Sequence, residues 1–104
     1  MKLADRLQEA GLPTRPTQPD APFSADAAVH EGERAHYARG DVLVTDDADL
    51  ALLAGDYLYA LGLADLADRG DLAGVRRLAA IIAMCAQAHA EGRPEDAARA
   101  WGRT

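Results

Sequence analysis

Between Ala48 and Ala90 the hydrophobic positions recur three and four residues apart, the period of an α-helix rather than the alternation of a strand. Asp46 and Asp47 stand where a helix beginning at Ala48 needs acceptors for its free N–H groups and negative charge at its positive end. That helix runs to about Asp68, and Gly70 closes it. Asp71 caps a second helix that runs to about Ala90, with Gly92 marking its end. Pro94, at a first-turn position, then opens a short terminal helix through EDAARAW.

Upstream the pattern is weaker. Lys2 to Ala10 forms a short helix with Leu3 and Leu7 four apart, stopped by Gly11-Leu12-Pro13. Prolines 13, 16, 19 and 22 favour an extended polyproline conformation, which reads as a linker or a strap over a neighbouring surface, with a ligand for an aromatic groove as the alternative. Ser24 is a good N-cap for a weakly apolar helix running to about Ala38, ended by Gly40. In the connector DVLVTDD, Val42 to Val44 can pass through an extended conformation, but one short run makes no sheet. The expected fold is all-α, a small helical bundle built on an antiparallel helical hairpin. Residues 1–23 are the short helix and proline-rich linker, and residues 24–104 the helical domain.

Two faces of the hairpin are informative. Val75, Leu78, Ile82, Cys85 and His89 alternate at three and four, a coiled-coil-like seam. On the preceding helix Ala51, Gly55, Leu58 and Gly62 line a smooth strip where another helix can approach closely, and Leu50, Leu53, Tyr57 and Leu61 lie on an adjoining strip. A helix apolar nearly all round is normally buried on more than one side. One hairpin cannot cover it, so a second chain is expected to. The candidate interface is Leu53, Tyr57, Leu58, Leu61, Val75, Leu78, Ile82 and Cys85.

Composition strengthens that expectation. Aromatic residues are only 5% of the 104-residue chain and alanine is its commonest residue, which favours helix but buries little area per residue. The core of one copy is therefore thin, and an oligomer would remedy it. The formal net charge of −6 argues against nucleic acid, and Arg76-Arg77, the only adjacent basic pair, is too little for a phosphate-binding stripe or a polybasic membrane anchor. A lone cysteine, Cys85, excludes an internal disulfide and a cysteine-rich zinc site. The stretch MKLADRLQEAG has no continuous apolar run and does not read as a secretory signal. Asp56 and Asp65 break the longest apolar region, Leu50 to Leu66, which is read as no membrane span. The expected location is the cytoplasm.

Few residues offer chemistry of their own. Asp56, mid-helix among apolar neighbours, needs a partner such as an arginine or a helix-terminal amide, because an unpaired buried carboxylate is expensive. His30 and His36 are six apart and do not share a helical face, so no histidine metal site is expected. His89 reads as a polar end to the seam and Cys85 as a small buried hydrophobe. Tyr57, Tyr59 and Trp101 read as packing anchors, with Tyr59 and Trp101 the alternatives for partner contact. There is no glycine-rich phosphate loop and no serine–histidine–carboxylate set at credible spacing.

The run from Leu50 to Gly92, under half the chain, resembles one stretch of the trans-polyprenyl diphosphate synthases, the all-helical enzymes of isoprenoid chain elongation. The residues that carry the resemblance are Leu52, Leu53, Ala54, Gly55, Asp56, Tyr57 and Leu58 against the family's LxGDYLL helix, the break at Gly70-Asp71, and the close at Gln87, Glu91 and Gly92. The family holds magnesium with a DDxxD motif upstream and follows it with RRGxPT. At that place this chain has HEGERAHYARGD, in which His30 and Arg39-Gly40 keep something of the outline but Glu31 and Glu33 replace the aspartates. No second aspartate-rich motif follows. Asp46-Asp47-Ala48-Asp49 has the wrong spacing and position to substitute, and reads as a helix cap. In the family the two matched helices lie at the subunit interface, so the resemblance implies a pairing surface without the chemistry.

The expected function is a non-catalytic helical subunit, without cofactor, that forms a homodimer or a heteromer with a larger helical protein such as a full-length polyprenyl synthase. Two alternatives stand beside it. One is a structural accessory subunit docking onto an unrelated assembly. The other is a minimal magnesium-dependent prenyl transferase using Glu31, Glu33 and Asp56.

Overall fold

A computed structural model describes residues 1–16 and 22–102. Five helices follow in order: α1 (Leu3–Glu9), α2 (Ala25–Tyr37), α3 (Ala48–Asp68), α4 (Leu72–Ala90) and α5 (Glu95–Ala100). The described residues form an all-α bundle whose only β features are the isolated bridges Lys2–Pro22 and Thr14–Leu43. The caps lie where the sequence places them. Ser24 Oγ accepts the Ala27 N–H at 3.0 Å, and Asp47 Oδ1 accepts those of Asp49 and Leu50 at 2.9 and 3.2 Å. Asp71 Oδ1 accepts the Gly74 N–H at 2.8 Å, and Gly70 makes the turn between α3 and α4 at a φ of 73°, which an L side chain rarely adopts.

The weakly apolar α2 is the spine. It lies antiparallel along α3, with Ala25 beside Gly62, Gly32 beside Gly55 and His36 beside Leu52. The two backbones touch at glycines. A Cβ on Gly32 would sit 2.9 Å from the Gly55 carbonyl oxygen, one on Gly55 3.0 Å from that of Gly32, and one on Gly62 2.8 Å from that of Ala25. The smooth strip on α3 thus does receive a helix, and that helix is α2 of the same chain. The turn at Gly70 joins α3 and α4 as a hairpin, yet α2 packs along α3 more extensively than α4 does.

Two apolar clusters flank α2. The first gathers Leu3 and Leu7 of α1, Ala28 and Ala35 of α2, Leu43, and Ala54 and Leu58 of α3. The second gathers Ala25 and Val29 of α2 with Leu78, Ile81, Cys85 and Ala88 of α4 and Ala97 of α5, and Tyr59, Leu63 and Leu66 of α3 pack against it. Leu7 is fully buried in the first of these clusters. The amino-terminal strap runs beside the 42–44 segment, where the Arg15 N–H donates to the Val42 carbonyl at 3.0 Å and the Val44 N–H to that of Pro13 at 3.1 Å. Pro13 and Pro16 belong to that strap and Pro22 to the bridge with Lys2, while Pro19 lies outside the described residues.

If α2 and α3 are held by backbone contact, a methyl group there is harmful although alanine is the better helix former. Gly62→Ala gains about 1 kcal/mol of helix propensity and loses about 1–3 kcal/mol to overpacking against a carbonyl that cannot move alone. Urea denaturation of Gly62→Ala should show a net loss of up to about 2 kcal/mol; a stabilised variant would contradict the contact.

Candidate functional site

The expected interface residues divide into two groups. Leu58, Leu78 and Cys85 are fully buried inside one chain and present nothing to a partner. The reason is α2, whose alanines and glycines come close enough to cover what the hairpin alone leaves bare. Tyr57, Leu61, Val75 and Ile82 are half-buried. Leu53 is 66% exposed, and Ala60 and Ala64, on the same side of α3 at helical spacing, are exposed with it. Leu52 on α3 and Leu72 and Met84 on α4, none of them in the expected set, are 50%, 64% and 48% exposed. By length and composition α3 is apolar enough to cross a membrane despite Asp56 and Asp65, yet only 22% of its apolar window is buried in the chain.

The carboxylates suspected of holding magnesium are not brought together. Glu31 is buried, and its two oxygens accept the backbone N–H groups of Asp41, Val42 and Leu43 at 3.0, 2.9 and 2.9 Å. It is a clamp on the connector between α2 and α3, and Gly40 has no side chain because a Cβ there would run into Glu31 Oε2. Asp56 is not buried as expected. Its side chain is 72% exposed, and its partner is His36, whose Nε2 stands 3.1 Å from Asp56 Oδ1 and 3.1 Å from the Leu52 carbonyl. Room for that imidazole comes from Gly55, where a Cβ would strike the ring. Among the described residues no group of three or more histidine, cysteine, aspartate or glutamate side chains is placed to hold a metal ion.

The second gathering of polar side chains is one the sequence reading missed. His30, Glu33 and Tyr37 follow at three and four along α2, a helical stripe visible in the sequence but masked by attention to His30 and His36. With His89 of α4 and Trp101 after α5 they line a recess of about 210 Å³. The Trp101 Nε1–H donates to Glu33 Oε1 at 2.8 Å. Tyr37 stacks on His89 with centroids 3.8 Å apart and planes 8° from parallel, and His30 meets Trp101 edge-on at 5.4 Å. Trp101 and Tyr59 are half-buried packing residues rather than free contacts.

Burial pushes the Cys85 thiol up to about 12, helped by its hydrogen bond to Glu33 and that carboxylate's charge. Tyr59 and Tyr37 are raised as well, first by burial, with the Glu33 charge among the further causes. Near neutral pH these groups stay protonated.

Set against known protein families, characterised proteins and solved structures, the chain matches none. The likeness to polyprenyl synthases therefore rests on the residues between Leu50 and Gly92 alone.

Two outcomes follow. Glu31→Ala strands three backbone donors and should cost about 3 kcal/mol, with faster amide exchange at Asp41, Val42 and Leu43; unchanged exchange there would refute the clamp. The unfolded thiol ionises near 9.0 and the folded one near 12. Stability contributed by Cys85 is thus complete below the lower value and lost as pH rises through that window, in the same direction as for the two tyrosines. At pH 8 the folded thiol is held protonated and buried, so iodoacetamide should label Cys85 only after denaturation. Rapid labelling of the folded chain would show the thiol to be exposed.

Proposed function

We propose that the chain is a non-catalytic helical subunit that works by pairing the outer side of α3, centred on Leu53, Ala60 and Ala64, with a helix of another molecule. That molecule is a second copy or a larger helical protein, and the synthase-like run makes a full-length polyprenyl diphosphate synthase the first heteromeric candidate. The observation that carries the reading is the contrast within α3. It is the most apolar helix of the chain in composition, α2 fills its inner side, and little of its apolar window is buried. Burying apolar surface at about 25 cal/mol per Å² is the available driving force. Alanines at 60 and 64 let a second backbone approach, as the glycines do for α2.

Insertion of α3 into lipid fits the same hydrophobicity less well. The His36–Asp56 pair and the polar α2 backing would have to enter hydrocarbon with it or be stripped away.

Sedimentation velocity over a micromolar range, alone and with a candidate synthase, tests the reading. Association is expected in at least one of the two mixtures, and Leu53→Glu should abolish it with the helical circular dichroism unchanged. In a heteromer the synthase's product chain length should also shift. A chain that stays monomeric in both mixtures sinks the proposal, and so does a Leu53→Glu variant that associates like the parent.

A further inference from the structure

Glu33 is the one carboxylate on the wall of the recess between α2, α4 and α5. Among the described residues no cation pairs with it; the Trp101 indole N–H donates to it and the Cys85 thiol lies beside it. Arg34, the one guanidinium on that wall, turns its Nη2 to Asp41 Oδ1 at 3.2 Å, while its buried Nε has no hydrogen-bond partner. The recess therefore holds a half-buried carboxylate that forms no ion pair, although Arg34, His30 and His89 share its walls. Its remaining walls are rings, with Tyr37 stacked on His89 and Trp101 meeting His30 edge-on, and the small apolar residues Ala38, Pro94, Ala97 and Ala98. Ring faces carry negative charge density and attract cations, the more so where water is partly excluded.

These features select among ligands. A phosphate or carboxylate would be repelled by Glu33. A divalent metal ion needs several oxygen ligands, and no such group is assembled here. A volume of about 210 Å³ is too small for a large organic molecule and suits a compact one. We propose that this recess binds a small organic cation of the methylammonium class, its charge against Glu33 and its methyl groups against the Tyr37 and Trp101 rings. The site is separate from the outer side of α3 and does not depend on helix pairing.

Trp101 is the only tryptophan of the chain, so its fluorescence reports on this site alone. Titration of the full chain with tetramethylammonium chloride should give a saturable change in that emission. tert-Butanol, which has nearly the same shape without the charge, and sodium chloride at matched ionic strength should give none. Glu33→Gln keeps an oxygen for the indole N–H and should weaken binding by about tenfold. Tyr37→Leu removes one ring at a surface position and should weaken it by about threefold, with the indole N–H resonance as the readout; it decides the matter if the Glu33 variant fails to fold. An unsaturable response, an equal response to tert-butanol, or wild-type affinity in the folded variants overturns the proposal.

Discussion

Contact between the α2 and α3 backbones, made possible by Gly32, Gly55 and Gly62, determines the rest of this structure. With side chains at those positions the helices would stand apart, and Leu58 and the first apolar cluster would lose their cover. The same contact sets the rotation of α2. It turns Glu31 toward the connector, His36 over Gly55 toward Asp56, and His30, Glu33 and Tyr37 toward α4 and α5. A helix packed this closely through small residues uses little apolar area, so the fold relies on backbone proximity and on polar staples between elements.

Those staples are specific. Glu31 replaces the missing turn hydrogen bonds of the connector, which otherwise holds three buried or half-buried N–H groups without acceptors. Trp101 ties the last helix to Glu33 of α2, and the Arg77–Asp26 ion pair ties α4 to the start of α2. Each links elements far apart in sequence, where a thin core gives little other reason for a unique arrangement. The cost of this economy lies on α3, whose opposite side keeps leucines and alanines in water.

Helix boundaries from residue 24 onward were legible because caps and turn glycines act locally. Ser24, Asp47, Gly70 and Asp71 do what their chemistry alone implies. The partner of α3 was not legible. Alanine and glycine bury their surface without a hydrophobic signature, so α2 looked too polar to be central and the smooth strip looked like an invitation to another chain. Leu58, Leu78 and Cys85 were assigned outward for that reason. Asp56 reads as buried only if α3 is covered on all sides, and the recess depends on Trp101 returning to α2 from a distant position, which no periodicity reveals.

The central claim is that α3 has two different sides, one closed by α2 within the chain and one left exposed, which we propose a second molecule covers. Electron paramagnetic resonance of a nitroxide at position 53, with Cys85 replaced by alanine to leave one attachment point, tests it most directly. The account predicts a label that loses mobility and becomes shielded from a water-soluble relaxing agent as chain concentration rises or a helical partner is added, while a label at Glu9, exposed on α1, stays mobile. A label at 53 that remains mobile and fully accessible under all these conditions would contradict it.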